Sequence, residues 1–168
     1  MPCPCNLPQE IYPDSSEWGP LLWTLLHGLA EKAGAPTSPM FAEDERRAWI
    51  HFFKETSDII PCHVCKEHFR LYLKEHPIDE LKHLPIQLMR EWIREWFWEV
   101  HEWVNATLEK PAFPKDGLKE KYGSVPLRTV LKQFEPPMRR AILLSGNQYM
   151  KFKEWKSRYM LILSILGL

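Results

Sequence analysis

Between Pro85 and Pro111 the chain keeps one rhythm. Leu88, Trp92, Trp96, Val100, Val104 and Leu108 recur about a helical turn apart, which predicts a long amphipathic helix ending near Lys110. Three earlier segments share that period. A capping pattern from Asp14 to Glu17 opens the first, Pro20 should fall in its first turn, and Leu22, Trp23, Leu26 and Leu29 carry it toward Gly34. Residues 43–60 set Trp49, Ile50, Phe53 and Ile59/Ile60 on one face before Pro61 stops the helix. Residues 62–76 follow, with Phe69, Leu71, Tyr72 and Leu73 as their apolar groups before Pro77. No stretch alternates with period two. Residues 14–114 therefore read as a four-helix bundle in an all-α chain.

The flanks differ from this domain. Pro2, Pro4, Pro8 and Pro13 exclude a helix from residues 1–13, leaving an extended arm that carries Cys3 and Cys5. Residues 115–168 form a helical C-terminal extension that Pro126, Pro136 and Pro137 should cut into short pieces. Its last piece lines up Phe152, Trp155, Tyr159, Ile162/Leu163 and Leu166 opposite Lys151, Lys153, Lys156 and Arg158. That stripe suits packing on the core, on a second subunit, or at a membrane interface. Formal charge is zero overall, yet residues 1–114 hold 11 basic and 18 acidic side chains while residues 115–168 hold 11 and 4. The asymmetry marks a boundary near Pro114 and predicts that the basic extension docks on the acidic part or meets an anionic partner. No nucleic-acid partner is expected.

No N-terminal stretch joins a basic start, an apolar run and a small-residue cleavage site, so an intracellular setting is expected, cytoplasmic or in the mitochondrial intermembrane space. The longest apolar run, residues 159–168, would span only about 15 Å as a helix, half of a bilayer's hydrocarbon core. Four cysteines in such a chain point to redox or metal chemistry before a structural disulfide framework.

Cys62 and Cys65 form a C-x-x-C pair directly after Pro61, at a predicted helix start where free N–H groups and the helix dipole favour a thiolate. The same spacing is half of many zinc sites, with His63, His68, Cys3 and Cys5 as the remaining candidate ligands. A zinc-stabilised helical interaction module is thus the alternative to a redox enzyme. No second C-x-x-C and no His-x-x-x-His accompanies the first, and a thioredoxin-like fold lacks its strands. A helical dithiol enzyme needs an acceptor for two electrons, and a flavin gripped by aromatic helices would serve. Trp23 with His27, and His101 with Asn105, offer two i, i+4 pairs, each on one helical face.

With these residues in view, the chain resembles the Erv/ALR family of FAD-linked sulfhydryl oxidases. The matching blocks are WGPLLWTLLH (residues 18–27), PCHVCKEHF (61–69) and HEWVNATLEKPAF (101–113). The resemblance implies a homodimeric bundle that holds FAD noncovalently, oxidises protein dithiols and reduces O2 to hydrogen peroxide. It implies that Cys65 faces the flavin while Cys62 exchanges with incoming thiols. Gly19, Pro20, Trp23, His27, His68, His101, Val104, Asn105, Lys110 and Phe113 would then lie at the cofactor. Two departures stand out. Pro20 replaces an arginine frequent in the family, and Trp98 and Pro114 occupy the positions of a structural disulfide found in many cellular members, so packing should anchor the fourth helix here. By analogy with shuttle cysteines on flexible segments of the family, Cys3/Cys5 would pass substrate electrons to Cys62/Cys65, in their own subunit or its neighbour's.

Overall fold

Asp14 caps α1 (Ser15–Ala30), and the Glu17 carboxylate accepts the Asp14 N–H at 3.1 Å, as the capping pattern predicts. The computed structural model describes residues 11–146 and 149–168, so Cys3 and Cys5 lie outside the described residues. Pro20 sits in the second turn of α1, not the first. It removes the N–H that would have bonded the Ser16 carbonyl, and Ser16 is exposed, where water can take that bond. Gly34 ends the following turn at φ +74°, a conformation only glycine adopts cheaply. Its N–H donates to Glu45 Oε1 at 2.7 Å, and Trp49 Nε1 donates to the same oxygen at 3.1 Å. Those bonds partner a carboxylate buried on α2 (Ala42–Ile59) and tie the turn to that helix.

Cys62 is the N-cap of α3 (His63–Glu75), and α4 (Ile86–Thr107) is the longest helix. α4 buries Met89, Ile93, Trp96, Phe97 and Val100, while Leu88 and Leu108 of the predicted rhythm are exposed. The six predicted residues are spaced by four, a step that advances about 40° around the helix each time, so the row winds off the core face. Only its middle, Trp96 and Val100, lies inside.

Beyond α4 come a short α5 (Leu118–Tyr122), then α6 (Leu127–Ser145) and α7 (Tyr149–Ile165); among the described residues there is no strand. The prolines do not cut this region into short pieces: α6 runs through Pro136 and Pro137. The carbonyls they leave without an N–H partner belong to Lys132 and Gln133, which are exposed to water, while Leu131, Phe134, Met138 and Ala141 keep burying one face across the break. Packing outweighs two lost helical bonds.

α6 packs along α1 and α7 along α2, and both share one core with the first four helices. The stripe expected on the last helix is buried in full. Trp155 stacks on Phe52 at 5.5 Å and donates its indole N–H to Thr56 at 3.1 Å; the Tyr159 hydroxyl reaches the Leu25 carbonyl at 3.1 Å. Basic groups of residues 115–168 pair with acidic groups of the earlier helices, as the charge asymmetry predicts: Lys115 with Glu95, Arg140 with Glu17, Lys151 with Asp58, and Arg158 with Glu55. Among the described residues no helix is long and apolar enough to cross a membrane.

Candidate active site

Cys62 and Cys65 are joined in a disulfide across the first turn of α3, with Cα atoms 5.2 Å apart. The Cys65 N–H points at Cys62 Sγ at 3.2 Å, so a thiolate at Cys62 would meet a backbone donor at the positive end of a helix. The pair is half-buried, but His63 and Val64 between the cysteines are exposed, which leaves one edge open to an incoming thiol. Both sulfurs are spent on each other. Among the described residues no group of three His, Cys, Asp or Glu side chains gathers to hold a metal ion. His68 packs edge-on against Trp103 of α4 at 5.6 Å.

Two residues before Trp103, His101 belongs to a stack of flat rings contributed by α1, α4 and α5. Trp23 and His101 lie 3.9 Å apart and parallel within 5°. His27, one turn after Trp23, shares a 2.8 Å hydrogen bond between its Nε2 and His101 Nδ1, and Tyr122 covers its other side at 4.7 Å. Burial pushes His27 down to about 3, helped by His101 and Lys121, and pushes His101 down to about 4, helped by Lys121 and Lys110. Both imidazoles are neutral at physiological pH, so one ring N–H donates and the other ring accepts. The lysines that depress them are a second feature of the site. Lys121 Nζ stands 4.6 Å over the Phe113 ring and 5.1 Å over Tyr122. Gly19 is buried in α1, yet a Cβ built on it meets no heavy atom within 4 Å, so open space lies beside it. Parallel rings, neutral hydrogen-bonding groups, nearby cations and unfilled space suit a planar ligand that carries anionic groups.

The segment after α4 is held to it by hydrogen bonds, where packing alone was expected. Trp98 Nε1 donates to the Phe113 carbonyl at 2.8 Å, and the Phe113 N–H donates to the Glu102 carboxylate at 3.1 Å. Asn105 uses its side-chain N–H on Glu102 at 3.1 Å, and its carbonyl accepts the Lys110 N–H at 2.8 Å. Trp98 thus ties the same two stretches that a disulfide at positions 98 and 114 would tie.

Residues 20–123 match the model of the Erv1/Alr family. The chain belongs to that family. Among its relatives, the mitochondrial FAD-linked sulfhydryl oxidase ERV1 of Saccharomyces cerevisiae is 33% identical over 101 residues, 60% of this chain and 48% of the yeast protein. The FAD-linked sulfhydryl oxidase ERV1 of rice is 30% identical over 109 residues, 65% of this chain and 50% of its own length. Protein 347L of Invertebrate iridescent virus 6, also named for an FAD-linked sulfhydryl oxidase, is 25% identical over 109 residues that make up 95% of its length. The match spans about half of the yeast and rice proteins. No solved structure matches the chain.

The family match extends past Pro114 to include α5. Of the residues singled out in sequence, the fold brings Trp23, His27 and His101 into one stack, with Phe113 close by through Tyr122. Val104 is half-buried on the same helix, whereas Pro20 is exposed and His68 faces Trp103. Tyr122, Lys121 and Glu102 escaped the sequence reading. The first two sit in a basic–aromatic pair beyond the boundary that charge alone drew at Pro114, and Glu102 shows its use only once the backbone of Phe113 folds back on it.

Proposed function

We propose that the chain is an FAD-dependent sulfhydryl oxidase that forms disulfides in protein substrates and works as a homodimer. The observation that carries this reading is the pairing of an accessible disulfide at a helix N-terminus with a stack of neutral, parallel rings on the adjoining helices. Trp23, His27, His101 and Tyr122 would hold the cofactor's flat parts, with Gly19 leaving room and Val104 and Phe113 bordering it. Lys110 and Lys121 supply the charge its diphosphate requires. Pro20, His68 and Asn105 join this set by family resemblance. Bound there, FAD would supply a two-electron acceptor for the dithiol that O2 can reoxidise, with hydrogen peroxide as the product.

The chain's own part is thiol–disulfide exchange. An incoming thiolate attacks Cys62 Sγ, the Cys62–Cys65 bond breaks, and Cys65 leaves as a thiolate. A second thiol of the substrate, deprotonated, then attacks the mixed disulfide and releases Cys62, so the substrate gains one disulfide and both cysteines are reduced. His27 and His101, neutral and bonded to each other, leave the site without a fixed positive charge of their own. Cys3/Cys5 act as a shuttle between folded protein substrates and Cys62.

Purified protein should be yellow, with flavin absorption that denaturation releases, and should consume O2 when given dithiothreitol. Cys62→Ser or Cys65→Ser should keep the colour and lose at least a hundredfold in turnover. A colourless protein that never takes up added FAD would overturn the proposal.

A further inference from the structure

We infer that Glu102 is a positioning residue that fixes the side-chain amide of Asn105 and thereby gives the site its preference for a flavin carrying a nucleotide. This inference rests on the FAD reading proposed above. Glu102 follows His101 of the ring stack on α4, and its half-buried carboxylate gathers the donors at the helix exit. Asn105 Nδ2 donates to one oxygen at 3.1 Å, and the Phe113 N–H reaches both oxygens at 3.1 Å. A carboxylate only accepts, so the Asn105 amide must turn its NH2 group to Glu102 and its Oδ1 to the other side. Among the described residues no donor meets that Oδ1. Glu102 therefore leaves a half-buried acceptor of fixed direction, and a ligand N–H or O–H satisfies it.

The neighbours of that oxygen decide which part of a flavin cofactor it serves. At about 1.5 Å of rise per residue, Asn105 stands about 6 Å farther along α4 than His101, on the way to Lys110. The helix closes there: the Lys110 N–H bonds the Asn105 carbonyl at 2.8 Å and the Glu109 N–H bonds the Ala106 carbonyl at 3.2 Å. Glu109 occupies the place that glycine usually takes in such a turn. At φ +54° it is the one non-glycine residue with positive φ among the described residues. The return of the chain holds it there, because Glu102 and Trp98 grip the N–H and the carbonyl of Phe113. Lys110 is kept close enough to act on His101, and Lys121 stands over the Phe113 ring. An acceptor beside two cations fits a nucleotide, whose diphosphate meets the lysines and whose adenine amino group or ribose hydroxyl meets Asn105 Oδ1. FMN has the flavin ring and one phosphate but no adenylate half.

Glu102→Gln keeps the size of the side chain but adds N–H donors, so the Asn105 amide loses its single orientation. Glu102→Ala removes the acceptor altogether. Trp98→Phe is the control: it loosens Phe113 and leaves the bond between Glu102 and Asn105 in place.

Full-length protein freed of flavin should be titrated with FAD and with FMN, following the quenching of flavin fluorescence. The unaltered chain should bind FAD at least tenfold more tightly than FMN. Glu102→Gln should lose FAD affinity severalfold and Glu102→Ala at least tenfold, each with FMN affinity within twofold of the parent. Trp98→Phe should leave the ratio of the two affinities within twofold. Equal losses for FAD and FMN in the Glu102 variants would make the residue merely structural and overturn the inference. So would unchanged FAD affinity, a Trp98→Phe variant that loses the preference as fully as Glu102→Ala, or an unaltered chain that binds both flavins alike; each of these leaves the flavin reading standing. An unaltered chain that takes up neither flavin overturns that reading and the inference with it.

Discussion

His27 and His101 share one hydrogen bond inside a ring stack that has no place for a second proton. The folded pKa values, about 3 and about 4, lie below the roughly 6.5 of an unfolded imidazole. The unfolded chain therefore binds more protons than the folded one as pH falls through 6.5, and stability is lost until the folded groups titrate. Above pH 7 the pair costs nothing. For His27 alone the loss between pH 7 and 5 is about 2 kcal/mol, a window that ends before most carboxylates titrate. Urea unfolding at both pH values should show at least this difference, and His27→Asn should reduce the pH dependence by about that amount, leaving the share due to His101, whatever that variant does to absolute stability. An equal pH slope in the variant would mean that His27 is not held neutral.

At the scale of elements, two local devices replace what the sequence pattern anticipates. Trp98 and Glu102 hold both backbone groups of Phe113, so the segment after α4 is tied by hydrogen bonds that reductant does not touch. Trp98→Phe keeps the ring and removes one donor, and it should cost about 1 kcal/mol. The measurement is thermal unfolding together with proteolysis at residues 108–114, which should speed up in the variant and stay unchanged in the parent when reductant is added. α6 makes the opposite case. Pro136 is exposed inside a continuous helix, so Pro136→Ala restores an N–H and should stabilise the protein by up to about 3 kcal/mol in a thermal melt. A lower melting temperature would mean that the proline shapes α6 in a way packing needs. These two places also show where sequence stopped informing. The cap at Asp14, the stop at Pro61 and the pairs Trp23/His27 and Cys62/Cys65 depend on near neighbours and were legible. The path of α6 through two prolines depends on what Phe134 and Met138 bury against, the Glu102 bond on how the chain returns, and Tyr122 on α5 closing over His27. None of those is written in local spacing.

For the molecule as a whole, the basic C-terminal region offers two ways to be attached, by charge or by core. The ion pairs that join it to the acidic part are partly exposed on both sides, and such pairs contribute only about 0–1 kcal/mol each. They bias which surfaces meet more than they hold them together. α7, by contrast, places Trp155 wholly inside, stacked on Phe52, beside Phe134 and hydrogen-bonded to Thr56. Raising salt to about 0.5 M, where screening acts within a few ångströms, should therefore shift the unfolding midpoint little. Trp155→Ala should destabilise the chain by about 3–5 kcal/mol, the range for removing a large buried aromatic. Because α7 rests on α2, which leads directly into Pro61 and Cys62, that loss should spread to the dithiol, seen as faster alkylation of the two cysteines after reduction. If Trp155→Ala costs under 1 kcal/mol while salt alone lowers the midpoint strongly, then α7 is an electrostatically docked appendage and the core ends with α6.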